Sequence, residues 1–90
     1  SGAARYTVFL KPAAERALKK IAQPTLRRIA TAIDNIGIDP RPSGVTALQG
    51  EAGLLCIRVG DYRVIHSVRD EVFTVLVVTI GHRRDVYQRR

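Results

Sequence analysis

Residues 54–87 read LLCIRVGDYRVIHSVRDEVFTVLVVTIGHRRDVY, and this stretch decides the fold. Side chains alternate across an extended chain. That places Leu55, Ile57 and Val59 on one side of a strand over 54–59, and Leu54, Cys56 and Arg58 on the other. Gly60-Asp61 is a two-residue hairpin signal, with glycine first as a type II′ turn prefers. Tyr62–Arg69 is a second strand: Tyr62, Val64, His66 and Val68 share one face, Arg63, Ile65, Ser67 and Arg69 the other. Asp70-Glu71 turns the chain again. Val72–Ile80 is nearly continuously apolar, the pattern of a central strand covered on both sides. Gly81 is expected to release the backbone from the sheet, and residues 83–90 are expected to form a short basic helix or tail.

Upstream, Tyr6–Leu10 is a short β-rich run closed by Lys11-Pro12, because proline cannot donate to a ladder. Proline also suits the first turn of a helix. Residues 12–21 then place Ala14, Ala17, Leu18 and Ile21 at helical spacing. Pro24 restarts the pattern, and a second helix over about 24–36 carries Leu26, Ile29, Ala30, Ile33 and Ile36 on its apolar face. Gly37 is read as its stop. Residues 37–53 hold four glycines and two prolines and are expected to be a loop. The order is therefore β-α-α-β-β-β. Two helices, each with one apolar stripe, predict an α+β architecture: a helical hairpin on one face of a mostly antiparallel four-stranded sheet. The other face is then left open, and a ligand surface is expected there.

The composition narrows the partners. Fifteen Lys and Arg against eight Asp and Glu give a net charge of +7, and twelve of the fifteen are arginine. Arginine forks onto phosphate in a way lysine cannot. A small basic domain usually meets a polyanion or an acidic protein. The longest apolar run falls far short of the ~20 residues a membrane span needs. One cysteine cannot form an internal disulfide, which fits a reducing cytoplasm. No metal-ligand spacing, glycine-rich phosphate loop, internal repeat or secretory signal pattern occurs, so no cofactor is expected. Ser1-Gly2 and the absence of methionine suggest a processed or engineered start. Residues 1–4 are therefore set aside and a single domain is expected over 5–90.

The candidate site residues are Arg58, Arg63, His82, Arg83, Arg84 and Tyr87. Folded strands would gather these guanidiniums, an imidazole and a phenol at one end and one face of the sheet, a site for a phosphodiester. Guanidiniums stay protonated and supply charge rather than act as bases. His82 is the group near the site whose unperturbed pKa lies near neutrality, so it is a candidate acid or base; it serves equally well as a strand-end cap. Tyr87 can stack on a base, bond a phosphate or anchor the tail. Arg58 and Arg63, each taken alone, also read as solvated sheet positions. His66 reads as a packed structural histidine and Cys56 as a small filler.

The element order, the segment Gly60-Asp61-Tyr62-Arg63-Val64-Ile65 and the segment Gly81-His82-Arg83-Arg84-Asp85-Val86-Tyr87 resemble the RelE/ParE superfamily of bacterial toxins from toxin–antitoxin modules. The resemblance spans residues 6–87. It implies, for RelE-type members, metal-independent cutting of messenger RNA in the ribosomal A site. There the 2′-hydroxyl attacks the adjacent phosphate and leaves a 2′,3′-cyclic phosphate and a 5′-hydroxyl. By that resemblance Arg63, Arg83 and Tyr87 match functional residues. It also implies a small acidic antitoxin partner of RelB type, lying across the arginine face or displacing the tail. ParE-type members share the fold but inhibit DNA gyrase. The pair of lysines that RelE carries on the strand matching 54–59 is replaced here by Cys56 and Arg58, and no lysine follows Lys20. Three readings therefore stand: a ribosome-dependent endoribonuclease, a gyrase inhibitor, and a basic RNA-binding domain without activity.

Overall fold

The computed structural model describes residues 5–48, 50 and 53–82. The elements are β1 (Thr7–Leu10), α1 (Pro12–Lys19), α2 (Thr25–Ile38), β2 (Thr46–Ala47), β3 (Leu54–Val59), β4 (Tyr62–Arg69), a 3-10 turn (Asp70–Val72) and β5 (Thr74–His82). The strands form one sheet in the order β1-β5-β4-β3-β2. β1 runs parallel to β5, and every other pairing is antiparallel.

The sheet has five strands, not four. Within the expected loop, Thr46 and Ala47 pair with Cys56 and Leu55 and extend the sheet by a short edge strand. Two residues between glycines and prolines are too few to leave an alternation, so the sequence pattern misses them. α1 ends at Lys19, short of Ile21, which is buried all the same. Gly37 does not stop α2; it lies inside the helix and is buried. A Cβ there would sit 3.1 Å from the Val8 side chain and 3.3 Å from the Tyr6 carbonyl oxygen. The glycine thus lets α2 lie close on β1, and Tyr6 N–H donates to Gly37 O at 2.7 Å.

β5 begins two residues later than the apolar run, because Asp70–Val72 forms a 3-10 turn closed by Phe73 in the left-handed region at φ 47°. It also runs past Ile80: Gly81 pairs with Arg63 and His82 with Tyr62, so Gly81 continues the ladder instead of leaving it. A register shift between Ile65 and His66 skips Val78 of β5. The skipped residue brings Ile80 onto the same face as Val75 and Val77.

The helices cover one face. Ala14, Ile21, Ile29, Ile33 and Ile36 pack on Ile57, Val64, Val75, Val77 and Ile80. The alternation expected along β3 and β4 holds, with Ile57 and Val64 in the core and Arg58 opposite Arg63 on the reverse side. His66 is on the helix-covered side and fully buried, its Nε2 2.9 Å from the Pro40 carbonyl oxygen. At the far end of the sheet Asp70 accepts two hydrogen bonds from Arg41, at 3.1 and 2.9 Å, and one from the Tyr6 hydroxyl at 2.6 Å. This clasp ties the start of β1 and the loop after α2 to the β4–β5 turn. Among the described residues no helix is long and apolar enough to cross a membrane.

Candidate functional site

Arg58 and Arg63 are brought together by the hairpin. Gly60 has φ 61° and Asp61 does not enter the positive region, as a type II′ turn requires. A two-residue turn makes Val59 and Tyr62 the first hydrogen-bonded pair. The next pair, Arg58 and Arg63, falls where cross-strand Cα atoms approach to about 4.5 Å and side chains stand closest. Two arginine side chains therefore start side by side on the face that α1 and α2 leave uncovered, the helix-free face among the described residues.

They are not equivalent. Arg58 is exposed, while Arg63 is only 9% exposed. Nor is the helix-free face bare: Cys56 and Ile65 are buried on it as well. Arg63 Nη1 lies 3.7 Å from Cys56 Sγ, so this guanidinium folds along the sheet toward β3. Cys56 is thus a contact of a site residue, beyond the filler role its size suggested. The register holds the signal: once Gly60-Asp61 sets the hairpin, Cys56 pairs with Ile65 and stands diagonal to Arg63. Arg69 shares the face but lies six residues along β4, roughly 20 Å away at strand rise.

His82 is placed differently. It pairs with Tyr62, and the two rings meet edge to face at 5.5 Å between centroids. Cross-strand partners share a face, so His82 stands on the Tyr62 side of the pleat, while Arg63 and its partner Gly81 are on the reverse side. Arg83, Arg84 and Tyr87 lie outside the described residues. His66 is too deeply buried to reach a ligand on the helix-free face. Burial lowers its pKa, a nearby Arg41 charge lowers it further, and the Pro40 hydrogen bond opposes both. A groove of about 590 Å³ beside β2, lined by residues such as Arg41, Leu48, Leu55 and Val68, contains none of the candidate residues. Among the described residues no group of three His, Cys, Asp or Glu side chains is placed to hold a metal ion.

A helical hairpin packs on one side of this sheet, and paired arginines stand on the other. The model of the family described as the ParE toxin of the type II toxin–antitoxin system, parDE, matches residues 8–87, and the chain belongs to that family, within the RelE/ParE superfamily. Toxin RelG of Mycobacterium tuberculosis is 31% identical over 85 residues, covering 93% of this chain and 98% of the relative. The RelBE2 toxin–antitoxin complex of the same organism superposes with a TM-score of 0.78 at 28% identity, over 88% of this chain and 92% of that one. The archaeal RelE–RelB complex from Pyrococcus horikoshii gives 0.77 at 27% identity, over 88% and 96%.

Proposed function

We propose that this chain is a RelE-like toxin that cuts messenger RNA on the ribosome without a metal. The observation that carries the reading is the cross-strand pair of Arg58 and Arg63 on the helix-free face. Cleavage by the neighbouring 2′-hydroxyl concentrates negative charge on a pentacoordinate phosphorus. The P–O2′ bond forms, the P–O5′ bond breaks, and a proton moves from O2′ to the departing O5′. Fixed cations aimed at that charge are the largest single aid a protein can give. Arg63, packed against Cys56, is the more rigid of the two. Arg58 closes on the phosphate from solvent.

Arg83, Arg84 and Tyr87 complete the site in this proposal, with Tyr87 as a proton carrier or base-stacking group. His82, edge-on to Tyr62 on the other side of the pleat, is assigned no proton transfer. The substitution of lysine by Cys56 and Arg58 removes a neutralisable amine and leaves permanent charge, so the proposal makes charge stabilisation the main contribution of β3. Similarity to RelG and to toxins solved with RelB supports a partner of the same kind. We propose an acidic antitoxin that covers the arginine face, and a site of action in the cytoplasm, where ribosomes translate.

The test is a primer-extension map of message on translating ribosomes. Wild-type protein is expected to produce new 5′ ends. Arg58 is exposed, so Arg58→Ala is expected to keep the fold and to cut about 100–1,000-fold more slowly, the usual cost of losing one transition-state donor. Intact message in the presence of folded wild-type protein rejects the reading. Inhibition of gyrase supercoiling by that same preparation would put the ParE-type activity in its place.

A further inference from the structure

A second group of cations stands at the corner where α1 passes to α2. Lys19, Lys20, Arg27 and Arg28 are all exposed there. The connection is tight: Ile21 N–H donates to Leu18 O at 3.2 Å and Leu26 N–H to Ala22 O at 3.1 Å. Among the described residues none of these four cations is in an ion pair.

For Lys19 and Lys20 the fold supplies a reason, since cations stabilise the last turn of a helix. For Arg27 and Arg28 the same physics gives the opposite sign. They are third and fourth in α2, where the helix end is partially positive, and the first turn carries no acid to offset them. Helix stability therefore does not explain them.

The corner is continuous with the site already described. Arg28 lines a cleft of about 160 Å³ together with Thr25, Val59, Gly60, Asp61 and Tyr62. Gly60 and Asp61 are the turn that joins Arg58 to Arg63. Asp61 lines the cleft without forming an ion pair to Arg28, so that guanidinium is available to a ligand.

We infer that an RNA strand held at Arg58 and Arg63 runs over the β3–β4 turn onto this corner, where Arg28, Arg27, Lys20 and Lys19 take its phosphates. The choice of RNA as the polyanion rests on the endoribonuclease reading. The contacts are to the backbone, so they fix the path of the strand and carry no base preference.

The test uses the full chain and a 2′-O-methyl RNA oligonucleotide, which binds but cannot be cut. Affinity is measured over a salt series for wild type and for the variant Lys19→Gln, Lys20→Gln, Arg27→Gln, Arg28→Gln, with thermal melts confirming that both fold. The variant's log–log salt slope is expected to be shallower by about 0.7 for each phosphate contact removed. Cleavage of message by wild type is mapped in parallel. An unchanged slope overturns the inference, and if wild type cuts message it does so without touching the functional reading. A shallower slope with no cleavage by wild type sinks the functional reading and keeps the corner as an RNA surface. If the variant weakens binding to polyglutamate while its RNA slope stays the same, the corner is a protein-binding surface and the inference is also overturned.

Discussion

His66 shows what one residue can do when burial opposes its charge. The ring is fully buried, Nε2–H donates to the Pro40 carbonyl, and Nδ1 has no partner among the described residues. Protonation would place a charge in the core beside an unsatisfied nitrogen, so the folded pKa is below the ordinary value near 6.5. The unfolded chain then binds the proton more readily than the folded one. Stability from this group is complete above about pH 6.5, falls as pH drops below it, and levels off beneath the folded pKa. Chemical denaturation is expected to show a fall of up to about 1.4 kcal/mol per pH unit in that window. His66→Gln, which keeps a donor for Pro40, should flatten the curve there. An equally steep curve in that variant would assign the effect to other groups; above about pH 4 Asp70 is not among them, because hydrogen bonds from Arg41 and Tyr6 depress its folded pKa and its contribution is lost only below the ordinary carboxylate value near 3.8. Sequence alone identifies this residue as packed, since it stands mid-strand on the Tyr62 face. Its partner is invisible there, because Pro40 is 26 residues upstream in a loop that no periodicity describes.

Among the elements, the helices, β3 and β4 are legible because each carries an unbroken periodicity, as in Leu26–Ile36 or Leu54–Val59, and β5 because it is a nearly continuous apolar run. The failures fall where a glycine or a turn has two meanings. Gly37 has the look of a helix stop, and only the approach of β1 shows that it is a spacer inside α2. Gly81 has the look of an exit from the sheet, yet it pairs with Arg63 across the ladder and continues the strand. Of the site, the pairing of Arg58 with Arg63 was legible from the Gly60-Asp61 turn. The opposite facing of His82 followed only from a strand that continues past Ile80. The α2–β1 contact has a measurable consequence. Alanine at position 37 gains roughly 1 kcal/mol of helix propensity but meets Val8 and a backbone oxygen at close range. Valine adds two methyls to that contact and loses most of the propensity gain. Gly37→Val is expected to cost about 1–3 kcal/mol in denaturant unfolding. A variant as stable as wild type would mean that α2 can slide off β1 freely.

At the scale of the whole molecule, the charge that suits a polyanion works against the compact chain. A net charge of +7 on 90 residues leaves cations repelling one another on both sides of the sheet, and Arg58 stands directly opposite Arg63 on the β3–β4 ladder. Like charges across a strand pair cost about 0.2–1 kcal/mol. Salt screens this repulsion and equally screens the attraction for RNA phosphates, with a Debye length near 8 Å at 0.15 M. Folding and binding are therefore expected to respond to salt with opposite sign. Tm should rise between roughly 0.02 and 0.3 M salt, and RNA affinity should fall over the same range by about 0.7 log units per contact for each tenfold increase. Arg58→Gln removes one member of the opposed pair, so at low salt it should melt higher by about 1–8 °C and lose RNA affinity. At high salt, where repulsion is already screened, the same substitution should leave Tm nearly unchanged. If Arg58→Gln instead lowers Tm at every salt concentration, Arg58 holds the hairpin together by contacts, and its claim to be a free cation waiting for a phosphate is lost.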